Sequence, residues 1–167
     1  MSQCPDITFS PISETDKEPV IDLFNYYIEN SFAAYPEEKV PYEFFCLLLE
    51  TCRHYPSVAA RQADGTLVGF GLLRAHNPMQ AFRHTAEITC FIHPDLTGKG
   101  IGTRMLELLE NAGKAKGITT ILASISSLND GSIRFHGTHG FRECGRFVRV
   151  GMKKGTVFDT VWLQKFL

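Results

Sequence analysis

A mixed α/β domain is the fold class this sequence predicts, and three observations carry that prediction. Stretches with apolar residues at helical spacing alternate with short runs rich in β-branched and aromatic residues. Glycine and proline turns separate them, and one such turn, Thr97-Gly98-Lys99-Gly100-Ile101-Gly102, lies between a strand-like run and the strongest helix pattern. At 167 residues, 44% hydrophobic and 21% charged, the chain has the balance of one domain over 1–167. A domain of that size buries roughly two-thirds of its unfolded surface.

Taken in order, Ile7, Phe9 and Pro11-Ile12 form a short first strand, and Thr15-Asp16 with Pro19 opens a helix carrying Val20, Leu23, Phe24, Tyr27 and Ile28. Residues 30–41 read as a loop. Pro41 opens a second helix with Phe44, Phe45, Leu47, Leu48 and Leu49, which ends before Pro56. Strand-like runs at 57–61 and 66–74 flank Asp64-Gly65, a hairpin signal. A polar connection at 76–80 leads to a strand at 85–93, stopped by Pro94-Asp95. From Ile101, the residues Met105, Leu108, Leu109 and Ala112 trace one helix face, and Lys114, Lys116 and Gly117 suit its end. A strand at 118–125, a short helix at 130–139 and a closing antiparallel pair at 144–152 and 160–166 complete the chain.

The formal net charge of −1 provides no global field for nucleic acid or an anionic membrane, so any anionic ligand must be met locally. Met1 to Asp6 lacks a basic stretch followed by an apolar core, and no apolar run approaches spanning length, which reads as cytoplasmic. Cysteines at 4, 46, 52, 90 and 144 fit neither a disulfide framework nor a zinc site, and read mostly as small apolar fillers. His136 and His139 form the closest histidine pair, and nothing near them completes a metal site.

The glycine turn is where chemistry enters. Glycines at 98, 100 and 102 allow tight backbone angles and remove side chains that would block a ligand, while amides at a helix start are open to phosphate oxygens. Lys99 and Arg104 add nearby positive charge. A Walker loop needs Ser or Thr directly after Gly-Lys, and here Gly100 follows Lys99. A dinucleotide fingerprint belongs in an early strand-turn-helix unit, whereas this turn lies past mid-chain.

Downstream, Asn129-Asp130-Gly131-Ser132 through Phe135-His136 to Gly140-Phe141 resembles the Asn-x-x-Ser to Gly-Phe block of the GNAT superfamily of acetyltransferases, at the expected distance from the glycine turn. The segments 25–31, Ala81-Phe82-Arg83-His84-Thr85-Ala86-Glu87, Phe91-Ile92-His93-Pro94 and Val150-Gly151-Met152-Lys153, with Gly155 and Asp159, are similar to its phosphinothricin acetyltransferase branch. The resemblance implies a strongly twisted central sheet with flanking helices and a splayed strand pair, with acetyl-CoA as co-substrate, no metal, and a homodimer. It places the pantetheine arm along Phe91, Ile92 and His93 through backbone pairing, and the pyrophosphate on the amides of Gly98, Lys99, Gly100, Ile101, Gly102 and Thr103. Asn129 and Ser132 would hold the cofactor's other side, although Asn129 is equally an ordinary helix-start residue.

By the same resemblance Glu87 is the general base that prepares the amine, and a backbone N–H near Phe91 or Ile92 meets the oxyanion. His136 stands where many relatives carry Tyr, as an acid or thiolate partner, or as a packed structural histidine. Tyr27, Ser31, Phe32, Tyr35, Arg74 and Arg83 are the acceptor-side candidates. Asn77 and Met79 replace residues that are often basic in the branch, and Val157 replaces a common Trp. The expected reaction is acetyl transfer to a small primary amine, such as an amino acid or its analogue. A non-catalytic acyl-CoA-binding module and a protein N-terminal or lysine acetyltransferase stay open as alternatives.

Overall fold

The computed structural model describes residues 6–167, so Cys4 and most of the N-terminal stretch lie outside the described residues. The elements run β1 (Thr8–Ser10), α1 (Lys17–Asn30), α2 (Phe45–His54), β2 (Ser57–Arg61), β3 (Leu67–Ala75), β4 (Thr85–Ile92), α3 (Ile101–Ala115), β5 (Thr120–Ser126), α4 (Asp130–Thr138), β6 (Arg142–Lys153) and β7 (Thr156–Phe166). The seven strands form one sheet in the order β1-β2-β3-β4-β5-β7-β6, antiparallel throughout except for the parallel β4–β5 pair. This is the mixed α/β sheet with flanking helices that the alternating pattern predicts.

Side chains alternate across a strand with period two, and the sheet therefore builds two cores. Ala86 and Ile88 of β4 join Leu73, Ile121 and Val161 under Met105, Leu106 and Leu109 of α3. Phe91 joins Phe70 and Leu72 under Val20, Ile21 and Ile28 of α1. The helix entry at Thr15-Asp16 gains a partner from the sheet: Asp16 is buried, accepts from the Ser13 N–H at 2.8 Å, and meets the Arg61 guanidinium at 2.5 Å.

One irregularity positions the site. β4 and β5 pair only at Thr85↔Thr120, Ala86↔Ile121 and Glu87↔Leu122, yet β4 continues to Ile92 and β5 to Ser126. The strands splay after Glu87 and leave an open fork. This realises the splayed pair that the resemblance implies.

The sequence pattern is corrected at the C-terminal end. The two closing runs are longer than the apolar pattern suggests and form one continuous hairpin, turning at Lys154-Gly155 with φ of +49° and +74°. Two successive positive φ values are what a two-residue hairpin turn with native twist requires. A bulge interrupts the register between Phe147↔Thr160 and Gly151↔Phe158. Asp159 clamps it, accepting from the Arg149 N–H at 2.8 Å and from Arg146 at 3.2 Å.

Gly151 faces the Phe158 ring so closely that an added Cβ would lie 2.3 Å from Cζ. The ring cannot yield freely, because it is buried and stacks on Tyr35 with centroids 5.8 Å apart. Gly151→Ala is expected to cost about 1–3 kcal/mol in urea unfolding, the range for overpacking a filled site. The cysteine reading is also corrected, since Cys46 and Cys144 are exposed and only Cys52 and Cys90 are partly shielded.

Candidate active site

The glycine turn has the backbone its sequence calls for. Gly98 and Gly100 sit at φ +73° and +82°, where a side chain would strain the chain, and Gly100 caps α3. The first helical amide bond is Arg104 N–H to the Gly100 carbonyl at 3.1 Å. The amides of Gly98, Gly100, Ile101, Gly102 and Thr103 therefore donate to no acceptor among the described residues. Such a cradle at the positive end of a helix dipole fits a pyrophosphate. A Cβ on Gly102 would lie 3.1 Å from Ile92 Cδ1 and 3.3 Å from the Phe135 ring. The cradle thus abuts both the end of β4 and α4.

At the fork, His93 N–H donates to the Val68 carbonyl at 2.7 Å, which fixes the alternation along β4. Phe91, two residues back and opposite Phe70, likewise spends its N–H and C=O on β3. Cys90 and Ile92 turn theirs toward the gap left by β5. Of the three residues expected to pair with a pantetheine arm, only Ile92 thus presents backbone groups to the fork, and Cys90, which sequence reasoning missed, joins it. The expected oxyanion donor narrows to Ile92 rather than Phe91. The Ile92 carbonyl already accepts from Tyr27 Oη at 2.5 Å.

The fork opens into a cleft of about 390 Å³ between β4, β5, α1, α2 and α4. Arg74, Tyr35, Asn129, Ser132 and His136 line it, with Phe24, Phe44 and Leu48 as an apolar wall. Glu87 lies at the fork's vertex, nearly buried, and both of its oxygens are engaged: Arg74 at 2.5 Å on Oε2 and His76 Nδ1 at 2.9 Å on Oε1. Arg74 and Glu87 are directly opposed across β3 and β4, which is how residues 13 positions apart come together. His76 in turn meets the edge of Trp162 at 6.0 Å, and Trp162 Nε1 is buried without an acceptor among the described residues.

His136 is buried on α4. Its Nδ1 lies 2.8 Å from the Ser132 carbonyl and 3.3 Å from Ser132 Oγ. A carbonyl only accepts, so Nδ1 carries the proton and Nε2 holds a lone pair. Burial pushes the imidazole pKa below its usual 6.5, partly offset by the Ser132 hydrogen bond. With the proton on Nδ1 and a lone pair on Nε2, the neutral ring can accept a proton at Nε2 and give it back, which is compatible with the acid or thiolate-partner reading and with the packed one alike. Asn129 caps α4 by accepting from Ser132 N–H at 3.2 Å, so the ordinary helix-start role holds alongside its place in the cleft wall.

The acceptor-side candidates divide. Tyr35 and Arg74 line the cleft. Tyr27 packs on Phe91 at 5.2 Å and Phe32 on Phe158 at 6.1 Å, while Ser31 Oγ donates to the Tyr27 carbonyl at 2.8 Å. These three shape the wall from behind. Arg83 is exposed and is not among the residues that line the cleft. Among the described residues no group of three His, Cys, Asp or Glu side chains is placed to hold a metal ion, and no helix is long and apolar enough to cross a membrane.

Comparison with known proteins agrees with this geometry. Residues 20–141 match the model of the acetyltransferase (GNAT) family. An L-methionine sulfoximine/L-methionine sulfone acetyltransferase of Pseudomonas aeruginosa is 33% identical over 110 residues, covering 66% of this chain and 64% of that protein. A phosphinothricin N-acetyltransferase of Streptomyces coelicolor is 27% identical over 96% of both chains. A crystal structure of a GNAT superfamily phosphinothricin acetyltransferase from Sinorhizobium meliloti in complex with AcCoA superposes with a TM-score of 0.91 at 26% identity, covering 96% of this chain and 88% of that one. The matched segment contains the open fork, the glycine cradle and the α4 block alike, and the chain belongs to the acetyltransferase (GNAT) family.

Proposed function

We propose that this protein transfers the acetyl group of acetyl-CoA to the primary amine of a small molecule, an amino acid or amino-acid analogue. The observation that carries the reading is the departure of β4 from β5 beside a cradle of unpaired amides, which offers a thioester arm a strand edge and its pyrophosphate a helix end. Acetyl-CoA supplies the activated carbonyl; the chain's own residues manage position and protons. The relatives' names point to amino-acid analogues as acceptors. Arg74 on the cleft wall suits one carboxylate, and the neutral Asn77 and the exposed Met79 provide no second cation.

Two protons must leave the nitrogen. Glu87, held by Arg74 and His76, takes the first from the ammonium directly or through water. His136 Nε2 takes the second as the C–N bond forms and returns it to the departing thiolate. Of the N–H groups that face the fork, that of Ile92 is the donor for the oxyanion. The protein acts as a cytoplasmic enzyme on this reading, without nucleic acid or membrane. A homodimer is part of it, supported by the exposed edge strand β6 with Phe147, Val148, Val150 and Met152 on its surface.

The test is CoA-thiol release against a panel of amino acids, their analogues and short peptides. Glu87→Gln is expected to lower kcat about 10²-fold at neutral pH, and to recover much of that loss at alkaline pH, where the free amine no longer needs a base. Equal turnover by Glu87→Gln across the pH range removes Glu87 from the mechanism. Acetyl-CoA binding with no amine-dependent thiol release favours a non-catalytic acyl-CoA module instead.

A further inference from the structure

The C-terminal motif Val150-Gly151-Met152-Lys153 with Gly155 and Asp159 touches none of the reacting groups described above, and it contains a buried lysine whose ammonium is held by backbone carbonyls and has no carboxylate within ion-pair distance among the described residues. Lys153 is 1% exposed. Its Nζ donates to the carbonyls of Ile28 at 2.7 Å, Ser31 at 2.8 Å and Ala34 at 2.7 Å. Ile28 is among the last residues of α1, whose final carbonyls have no helical partner, and a cation there meets the negative end of the helix dipole. Burial and then neighbouring Lys154 push the Lys153 pKa down, against Glu37. Only the ammonium form has a third N–H for the third carbonyl.

The next residue extends the grip. Lys154 N–H donates to Glu37 Oε1 at 3.0 Å, and Lys154 Nζ reaches the Glu29 carbonyl. Phe158, admitted by Gly151, stacks on Tyr35, whose hydroxyl donates to the Ser124 carbonyl at 3.4 Å. The segment held in this way is Ala33, Ala34, Tyr35 and Pro36, one wall of the cleft. No element of regular structure spans residues 31–41, so these ties supply the order that backbone pairing does not.

We infer that Lys153 is a positioning residue for the acceptor: with Phe158 it fixes the segment 33–36 as the wall against which the amine substrate is oriented, although neither residue reaches the reacting atoms. Gly151, the turn at Lys154-Gly155 and the Asp159 clamp serve to aim the two side chains. The inference rests on the acetyl-transfer reading above, and it assigns Lys153 and Phe158 to acceptor binding rather than to acetyl-CoA binding: β7 pairs with the β5 arm of the fork, but the two side chains bond and stack on residues 28–35 and not on the glycine cradle.

The experiment compares Lys153→Met with wild type in steady-state kinetics for both substrates and in amide hydrogen exchange. Loss of the tie is expected to raise the amine KM at least tenfold, roughly the penalty for loosening an orienting wall, while the acetyl-CoA KM stays within about twofold. Exchange protection should fall in residues 31–37 and hold in 101–115. Phe158→Leu, which keeps Lys153 and a buried apolar side chain, should raise the amine KM about threefold or more, and serves if Lys153→Met fails to fold. An amine KM that moves less than twofold in the folded variants, or that rises in parallel with the acetyl-CoA KM, overturns the inference. A wild-type protein without amine-dependent thiol release overturns the acetyl-transfer reading and the acceptor role together, whereas an active wild type with unmoved variants overturns the acceptor role alone.

Discussion

His136→Ala is expected to lower kcat by about 10²–10⁴-fold, the range for removing a positioned acid–base group, with little change in acetyl-CoA affinity. The imidazole is tied by Nδ1 to Ser132, which leaves Nε2 as the acceptor for the proposed second proton transfer. On the proposed mechanism its loss removes both the base for the second proton and the donor to the thiolate. His136→Gln keeps some of the volume beside Phe141, 4.9 Å away by ring centroids, and separates lost chemistry from lost packing. Because the folded pKa is depressed below 6.5, the neutral form dominates at and above that pH, and the acid limb of kcat should inflect below 6.5 and vanish in the variants. Stability follows the same sign. The unfolded chain binds the proton first on acidification, so the contribution of a neutral His136 is full above 6.5 and is lost as the pH falls from there through the folded value. Urea midpoints measured across that window should slope in wild type and lose this component in His136→Gln. Unchanged kcat in both variants would return His136 to a packing role.

What could be read from the sequence follows how local each feature is. The helix α3 and its glycine entry are encoded within 20 residues: a one-faced apolar stripe, a left-handed glycine at the start and a left-handed Gly117 beyond the end. The fork is not local. Alternation along β4 tells which residues share a face, but not that β5 stops pairing with β4 after Leu122. Nor does it tell which of Phe91 and Ile92 turns its amide outward; that depends on the register with β3. The partners of Glu87 come from the same register, which sets Arg74 opposite and brings His76 to the second oxygen. His136 was visible by its block, yet its tautomer depends on a carbonyl one helical turn earlier. Lys153 was least legible. A lysine at a hairpin end reads as solvated, and its three acceptors lie 119–125 residues away in the chain.

Gly100→Pro is expected to raise the acetyl-CoA KM and Kd by about 10²-fold while leaving the amine KM within a few-fold. Proline locks φ near −65°, whereas the native residue stands at +82°, so the turn cannot keep its path. The substitution also deletes one amide of the cradle and displaces its neighbours at Gly98, Ile101 and Gly102. A hydrogen bond to a charged group is worth about 1.5–3 kcal/mol, so losing one fully and weakening another accounts for the predicted factor. An added Cβ at position 100 meets nothing within 4 Å, which makes the effect one of backbone geometry rather than a clash in the protein. Calorimetric titration with CoA and with pantetheine, which carries no phosphate, separates the contributions: the variant should lose affinity for CoA and match wild type on pantetheine, whose arm uses the fork alone. Since the cradle contributes partly through helix dipole and nearby cations, the wild-type CoA affinity should weaken with added salt, and the variant's should weaken less. If Gly100→Pro instead binds CoA as wild type does, the phosphate lies elsewhere and the turn is only a tight connection between β4 and α3.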